Sequence, residues 1–361
     1  MFVFQQVLKR KPFVGSQTVR TFVSATMKPN YAFAFDIDGV LIKGKQTIPE
    51  AKRALRLLNG DNAAKRHVPF VLLTNGGGVT EAKKAEQISQ MLDIEIRPEQ
   101  VILSHSPMRL LVEKYKDKQV LIVGGVGNSC RDVAKGYGFE NILTPDDIQQ
   151  WNPSVWPFTP PKFDNPVKHD VPKMPIDAVM MFHDARDWGR DLQIVLDAVC
   201  AQNGVIGTQK IDFTAQQIPL YFSNNDIIWS TDFPAPRLGQ GSFKVALEQL
   251  YETLTEQKLR STSFGKPHGT TYAYAEHVIK NLSPGGCAED TKPRVYAVGD
   301  NPAADIKGAN AYGWTSILVR TGVFTEPGNS SIYPADAVCK HVQEAVEWAI
   351  DQEENRANGT L

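Results

Sequence analysis

The stretch that decides the fold is AFAFDIDGVLIKG, residues 32–44. It begins with an apolar run that is typical of a strand buried on both faces of a parallel sheet. Two carboxylates, Asp36 and Asp38, follow this run beside a glycine. Because like charges repel and ionised carboxylates cost free energy to bury, this arrangement needs a compensating partner. The stretch is either a strand followed by an ordinary Asp-Gly turn, or a strand end that holds a metal ion and a carboxylate nucleophile.

The composition of the whole chain limits the classes of function. Its 361 residues suffice for two domains or for one domain with a large insertion. A formal net charge of −1 argues against a nucleic-acid partner, because phosphate backbones attract basic surfaces. No apolar run reaches the length of a membrane span, and the four cysteines form no CxxC pair that would indicate zinc or a redox dithiol. We therefore expect a soluble globular protein with free thiols.

The two ends of the chain differ from the rest. The first 31 residues contain no Asp or Glu, while five basic residues lie among Ser, Thr and Phe. This pattern is typical of a mitochondrial transit peptide, and a disordered basic tail is the alternative. We predict a transit peptide over residues 1–30 and a frayed polar tail over residues 350–361.

Between the ends, apolar runs alternate with helical patterns. A strand at 31–36, a strand ending at Thr74 and a strand at 100–105 alternate with helices at 47–60 and 81–94. This rhythm predicts a doubly wound parallel α/β sheet, and the same rhythm resumes after Lys118.

Three further stretches of the chain carry local signals. In the first predicted helix, Thr47 and Glu50 form a capping-box pattern. The run KQVLIVGGVGNSC looks like a dinucleotide fingerprint, but Cys130 stands where a third glycine belongs, so we interpret it as an ordinary strand-to-helix turn. The Pro-rich segment 151–175 is interpreted as an irregular loop or insertion, whose function the sequence leaves open.

Polar side chains follow several of the apolar runs. In open parallel sheets, ligands bind beyond the carboxyl ends of the strands, so these side chains are candidates for one site. Asp36 and Asp300 can hold a hard cation such as Mg²⁺ through oxygen. Thr74, Asn75 and Lys266 can hold phosphoryl oxygens. Each group alone is weak evidence, but their order and their places at strand ends favour one shared chemistry.

Four of these stretches, taken in order, resemble the motifs of the haloacid dehalogenase superfamily. They are DIDGV at 36–40, LLTN at 72–75, GKP at 265–267 and GDNPAAD at 299–305. The long segment between Thr74 and Lys266 leaves room for a large α/β cap, as in subfamily IIA. The stretches LTNGGG and SHSP further resemble the cat eye syndrome critical region hydrolase group, which is mitochondrial.

The resemblance implies a fold and its division into domains. The fold is a Rossmann-like α/β core with a doubly wound parallel sheet and a large inserted α/β cap domain. The core would comprise residues 31–105 and 233–349, and the cap would comprise residues 106–232.

The resemblance also implies roles for the core residues. Asp36 would be the nucleophile that forms an aspartyl-phosphate, and Asp38 would act as general acid and base. The phosphoryl group would be bound by Thr74, Asn75, Gly76 and Lys266. The Mg²⁺ ligands would be Asp36, Asp300 and the backbone carbonyl of Asp38. Asp305 would orient either Lys266 or the water shell of the metal, with Asn301 beside it.

In the cap, the stretch SNND resembles the subfamily signature TNPD. This similarity places Asn224 and Asp226 near the substrate, and Asn225 replaces the usual proline. A plain turn is the alternative interpretation, because Asn and Asp favour turns by themselves.

Together these inferences favour a Mg²⁺-dependent phosphatase of small phosphorylated metabolites, soluble in the mitochondrial matrix. The alternatives are an enzyme of glycerophospholipid-precursor metabolism and a non-catalytic binding or scaffold protein on the same fold. We expect no nucleic-acid partner and no membrane span. The sequence leaves open the natural substrate, its leaving group and whether the chain forms a homodimer through the cap.

Overall fold

The computed structural model describes residues 29–63, 65–161, 170–229, 233, 235–282 and 293–359. Most of the predicted transit peptide, residues 1–28, and part of the Pro-rich segment, residues 162–169, lie outside the described residues. Within the described ranges, none of the helices combines the length and the apolar character that crossing a lipid bilayer requires.

The described chain alternates strands with helices. The strands, in chain order, are β1 (Tyr31–Phe35), β2 (Ile42–Lys43), β3 (Gln46–Thr47), β4 (Phe70–Leu73), β5 (Val101–Ile102), β6 (Gln119–Val123), β7 (Asn141–Leu143), β8 (Ala178–Met181), β9 (Leu220–Phe222), β10 (Ile228–Trp229), β11 (Arg237–Leu238), β12 (Thr262–Ser263), β13 (Arg294–Gly299), β14 (Thr315–Val319) and β15 (Ala337–Cys339). The α-helices are α1 (Ala51–Leu58), α2 (Glu81–Leu92), α3 (Val112–Tyr115), α4 (Ser129–Tyr137), α5 (Pro145–Trp151), α6 (Trp188–Cys200), α7 (Gln240–Thr255), α8 (Gly269–Leu282), α9 (Lys307–Tyr312) and α10 (Val342–Ala357).

Six strands form the first sheet, in the order β15-β14-β13-β1-β4-β5, and every pairing is parallel. The central strand β1 lies between β13 and β4, with Phe35 paired to Val298 on one side and to Leu72 on the other. Its apolar residues are buried because helices cover both faces of such a sheet. The predicted doubly wound core is confirmed.

Five more parallel strands form a second sheet, in the order β12-β9-β8-β6-β7. Strand β6 is followed by a glycine turn and helix α4. A dinucleotide-binding turn has the same order of elements, so the interpretation of this run as an ordinary strand-to-helix turn stays a prediction. The second sheet has apolar clusters of its own, separate from those of the first sheet. The predicted α/β cap is therefore present.

The second sheet extends further along the chain than the predicted boundary at residues 232 and 233. Helix α7 buries Phe243, Leu247 and Tyr251 in the same apolar cluster as Phe222 of β9. Strand β12 also pairs with β9. The apolar face of α7 decides this placement, and residues 240–263 belong with the cap rather than with the core.

The capping-box interpretation of Thr47 is wrong. Thr47 lies in β3, which pairs antiparallel with β2 through Ile42. Helix α1 begins only at Ala51, and its N-cap residue Glu50 makes no side-chain capping bond. Because Thr47 is paired in the short β2–β3 hairpin, it cannot serve as the N-cap residue of the helix that follows.

The predicted frayed tail over 350–361 is also wrong for most of its length, because α10 continues to Ala357. Glu353 fixes this part of the helix to the first sheet. Its carboxylate accepts hydrogen bonds from Arg294 at 2.6 and 2.8 Å and from the Tyr296 hydroxyl at 2.6 Å. A polar sequence therefore stays helical here through a tertiary ion pair.

The topology brings the predicted site residues to one edge. Asp36, Thr74 and Asp300 directly follow β1, β4 and β13, which are neighbours in the sheet. Lys266 lies in the loop between β12 and α8, where the chain returns from the second sheet to the first.

Candidate active site

The centre of the site is Lys266, whose ammonium group lies between two carboxylates. Its Nζ is 2.8 Å from Asp36 Oδ1 and 2.7 Å from Asp305 Oδ1. The second oxygen of Asp305 accepts hydrogen bonds from the backbone N–H groups of Asp300 and Asn301, at 3.1 and 3.0 Å. Both Asp305 oxygens are therefore engaged, and this carboxylate holds Lys266 in place.

The turn that carries these groups forms as the sequence indicates. The Asn301 side chain caps the helical turn Pro302–Ile306 by accepting from the N–H groups of Ala303 and Ala304. Pro302 at the first position fits, because the backbone N–H that proline lacks has no partner there. This cap fixes Asp305 one turn after Asp300.

Burial and mutual repulsion shift the pKa values of the site carboxylates. Burial raises the pKa of Asp36 well above its usual range; Lys266 opposes this, and the nearby carboxylates of Asp305 and Asp300 add to it. Burial and Asp305 likewise raise the pKa of Asp300 to about 7. Burial alone would lower the pKa of Lys266, but the two carboxylates beside it outweigh burial and raise that pKa. Three carboxylates thus surround one ammonium group, so the cluster has more acidic groups than basic ones.

The donor set of this cluster fits a hard divalent cation. Oxygens of Asp36, Asp300 and Asp305 all lie within 4.8 Å of one another. Since Asp305 is engaged by Lys266 and two N–H groups, Asp36 and Asp300 are the carboxylates that would hold Mg²⁺, which prefers oxygen ligands. The Asp38 side chain is exposed and is not part of the cluster, so metal contact through its backbone carbonyl stays a prediction.

Two glycines enclose Asp300. A Cβ atom on Gly39, whose φ is +84°, would lie 2.4 Å from Asp300 Oδ2, and one on Gly322 would lie 1.8 Å from the same oxygen. That oxygen accepts a hydrogen bond from Val323 N at 2.7 Å. The Thr321 hydroxyl donates to the Gly39 carbonyl, which joins the loops after β14 and β1. Only residues without a side chain fit beside this carboxylate.

The predicted phosphate-binding residues divide into two groups. Thr74 is buried at the end of β4, and its Oγ1 accepts a hydrogen bond from Gly76 N at 3.0 Å. The carboxamide of Asn75 instead pairs with the backbone of Lys266 and with Asp226. The Asn75 side chain thus uses its hydrogen-bonding groups inside the protein, which argues against a direct contact with a phosphoryl oxygen.

The cap residues Asn224 and Asp226 lie at the junction of cap and core. Asn224 Nδ2 donates to the Asn75 carbonyl at 3.1 Å, and Asp226 Oδ1 accepts from Asn75 Nδ2 at 3.0 Å. Between them, Asn225 Oδ1 accepts from the Ser263 hydroxyl at 2.9 Å. The signature-like stretch therefore forms a joint between loops, and both of its predicted substrate residues bond to Asn75.

Sequence reasoning missed a second cap loop, which follows β8. His183 in this loop packs against the core loop after β4 so closely that a Cβ on Gly78 would lie 2.2 Å from His183 Cδ2. Burial lowers the pKa of His183, and the neighbouring Asp184 opposes this effect. The signal was present in the sequence, since a histidine and an aspartate directly follow the apolar run VMMF.

A buried polar network that also escaped notice joins the core to the cap. His105 Nδ1 lies 2.7 Å from the hydroxyl of Tyr137 on α4, and that hydroxyl donates to Glu81 at 2.5 Å. Ser106 donates to the same Glu81 oxygen at 2.6 Å. The His105 ring also stacks on Phe182 of the cap. In the sequence, this region was indicated only by the stretch SHSP at residues 104–107, which resembles the hydrolase group named above.

Comparison with known proteins supports this assignment of the fold. Residues 33–140 match a family model described as haloacid dehalogenase-like hydrolase, and residues 263–345 match a second model of HAD-like hydrolases. Among solved structures, the glycerol phosphate phosphatase Rv1692 from Mycobacterium tuberculosis, in complex with calcium, has a TM-score of 0.56 at 20% identity. That likeness covers 87% of this chain and 74% of the other.

Two yeast proteins are similar over most of the chain. The first is a cardiolipin synthase (CMP-forming) / mitochondrial hydrolase fusion protein of Schizosaccharomyces pombe, 40% identical over 94% of this chain; the match spans only 57% of the fusion protein. The second is the mitochondrial hydrolase YKR070W of Saccharomyces cerevisiae, 40% identical over 85% of this chain and 91% of that protein. On this similarity, together with the motif residues gathered at the carboxyl edge of the first sheet, the chain belongs to the haloacid dehalogenase-like hydrolase family.

Proposed function

We propose that the chain is a Mg²⁺-dependent phosphatase of small phosphorylated metabolites that works through an aspartyl-phosphate. The observation that carries this proposal is the buried ion-pair triad, in which Lys266 lies within 2.8 Å of Asp36 and 2.7 Å of Asp305. A lysine beside a carboxylate nucleophile reduces its repulsion with an anionic substrate. The glycerol phosphate phosphatase with the same fold supports the choice of phosphate esters as substrates.

In the first half of the reaction, a carboxylate oxygen of Asp36 attacks the phosphorus atom of the bound phosphomonoester. The bond between phosphorus and the leaving oxygen breaks, and Asp38 donates a proton to that oxygen as the alcohol departs. Lys266 and the turn that follows Thr74 would bind the phosphoryl oxygens. Mg²⁺ held by Asp36 and Asp300 would supply further positive charge against these oxygens.

In the second half, Asp38 removes a proton from a water molecule. The water oxygen attacks phosphorus, the bond from phosphorus to the Asp36 oxygen breaks, and inorganic phosphate leaves. The two halves restore both carboxylates to their starting states. The exposure of Asp38 suits this role, because a general acid and base must reach both the leaving group and water.

The test is a panel of phosphomonoesters assayed with Mg²⁺ for the wild type and Asp36→Asn. The amide is nearly isosteric with the carboxylate but is a very poor nucleophile, so we expect turnover to be abolished while the unfolding midpoint changes little. Asp351→Asn makes the same chemical change at an exposed position on α10 and serves as the matched control. Near-normal hydrolysis by a folded Asp36→Asn variant would exclude covalent catalysis by this residue.

A second candidate function is the hydrolysis of phospholipid precursors that carry a phosphomonoester. The observation that favours it is the fused relative, whose other part is named a cardiolipin synthase. Lipid phosphomonoesters in detergent micelles should therefore be included in the same panel. A much higher kcat/KM for these substrates than for soluble sugar or aryl phosphates would favour the second candidate.

We also propose that the protein acts in the mitochondrial matrix. The acid-free, basic first 31 residues support this location, as do the names of the two yeast relatives, both described as mitochondrial hydrolases. A homodimer through the cap stays a prediction, which the mass of the protein in solution would test. A non-catalytic scaffold would show no turnover on any phosphomonoester of the panel.

A further inference from the structure

The side chain of Asn75 binds both backbone polar groups of Lys266. Asn75 Oδ1 accepts a hydrogen bond from Lys266 N at 2.7 Å, and Asn75 Nδ2 donates to the Lys266 carbonyl at 3.0 Å. The carboxamide therefore binds both polar groups of one residue, as a paired strand would. This contact fixes the origin of the Lys266 side chain relative to the end of β4.

Asp226 anchors the same carboxamide from the cap side. The second hydrogen bond of Asn75 Nδ2 runs to Asp226 Oδ1 at 3.0 Å. Burial raises the pKa of Asp226, and its bond from Asn75 opposes this rise. Because a carboxylate only accepts hydrogen bonds, it requires the nitrogen of Asn75 on its side and leaves Oδ1 for Lys266 N. Asp226 thus stabilises the amide orientation that holds Lys266.

Asn224 completes the connection. Its Nδ2 donates to the Asn75 carbonyl at 3.1 Å, and its Oδ1 accepts from Asp226 N at 3.1 Å. Its own backbone N–H donates to Gln240 Oε1 at 3.0 Å, at the start of α7. The stretch 223–226 is therefore fixed on the cap, and it holds Asn75 by both its main chain and its side chain.

The three loops pack closely around Gly265. A Cβ on Gly265, whose φ is +76°, would lie 2.6 Å from the Ser223 carbonyl oxygen and 2.9 Å from Asn75 Oδ1. The glycine before Lys266 is required by this approach as well as by its backbone conformation. A change in the position of 223–226 is therefore passed on to Lys266.

We propose that Asp226 is a positioning residue, which acts through Asn75 to place Lys266 against Asp36, and is not a residue that contacts the leaving group. The inference rests on the proposed function, since Lys266 matters there for binding the phosphoryl group. It differs from the substrate-contact role that the signature TNPD implies for this position. The phosphoryl group is common to all substrates, so loss of Asp226 affects all of them alike.

The experiment compares Asp226→Ala, Asp226→Asn and Asp212→Ala, the last being an exposed acidic control in the cap. For Asp226→Ala we expect kcat to fall roughly tenfold on every substrate, including a small aryl phosphate, with little change in the ranking. Asp226→Asn keeps an acceptor oxygen and should recover part of the activity. Asn75→Ala combined with Asp226→Ala should be no worse than Asn75→Ala alone, because both act through one contact.

A second measurement does not depend on turnover. Binding of inorganic phosphate to the Mg²⁺-loaded protein is measured by calorimetry, and we expect it to weaken in Asp226→Ala and to stay unchanged in Asp212→Ala. If the wild type binds phosphate but hydrolyses no substrate, the proposed function is refuted. The comparison of phosphate binding between Asp226→Ala and Asp212→Ala then decides the positioning role by itself. A changed substrate ranking with normal kcat on the aryl phosphate would overturn the positioning role. Unchanged phosphate binding in Asp226→Ala would overturn it as well.

Discussion

Replacing Gly322 by alanine tests the placement of Asp300 directly. The added Cβ would lie 1.8 Å from Asp300 Oδ2, 2.4 Å from Cγ and 2.7 Å from Cβ, whereas ordinary contacts begin near 3.4 Å. The carboxylate must therefore move by more than about 1 Å, and Mg²⁺ tolerates little departure from its short ligand distances. The hydrogen bond from Val323 N to the same oxygen, now 2.7 Å long, would also be distorted.

The expected result is a loss of metal affinity larger than the loss of stability. Overpacking of this kind costs about 1–3 kcal/mol of unfolding free energy, and the Mg²⁺ concentration for half-maximal activity should rise roughly tenfold or more. The assays are a Mg²⁺ titration of phosphatase activity and thermal unfolding. Gly136→Ala on α4 is the matched control, because no atom lies within 4 Å of its added Cβ. An unchanged Mg²⁺ requirement in a folded Gly322→Ala variant would refute the role of Asp300 as a metal ligand.

Two further predictions concern stability away from the triad. Burial lowers the pKa of His105 to about 4, below the value of about 6.5 in the unfolded chain, so the unfolded state binds the proton first as the pH falls. The contribution of His105 to the unfolding free energy should therefore fall by about 3 kcal/mol between pH 6.5 and pH 4. Denaturant unfolding at the two pH values should show a smaller loss of stability for His105→Asn than for the exposed control His277→Asn. Glu353→Ala should cost about 2 kcal/mol of unfolding free energy, because it leaves Arg294 and the Tyr296 hydroxyl without their partner, and should leave kcat unchanged. The neighbouring Glu354→Ala is its control, and equal stability of the two variants would contradict the docking of α10 through Glu353.

The central sheet and the carboxylate edge were predictable from sequence because their signals are local. Strands buried on both faces must be almost wholly apolar, so β1, β4 and β13 stand out, and the residue after each strand necessarily reaches the same edge. Asp36 and Asp300 could be placed together on this argument alone. The sequence therefore suffices where strand direction and strand order determine the position of a side chain.

The failures come from interactions between distant parts of the chain. Thr47 matches a capping pattern, but pairing with β2 took its backbone into a hairpin. The end of α10 looks too polar to stay folded, but Arg294, 59 residues earlier, binds Glu353. The apolar face of α7 gave no indication of which of the two sheets it covers. In each case the local pattern was real, and a tertiary contact decided the outcome.

The stretch SNND shows why a polar signature cannot be assigned a role from sequence. Asn and Asp at a strand end fit a turn, a substrate contact or a structural joint equally well. The deciding partner of Asp226 is Asn75, which lies 151 residues away, and Asn225 reaches Ser263, 38 residues away. The side chain of Asn224 bonds to Asn75 and to Asp226 N through its two polar groups, and these bonds compete with any contact to a leaving group. If Asp226 has the positioning role proposed above, differences in substrate choice arise elsewhere in the cap. The loop at His183, packed against Gly78, brings cap side chains next to the core loop that follows Thr74.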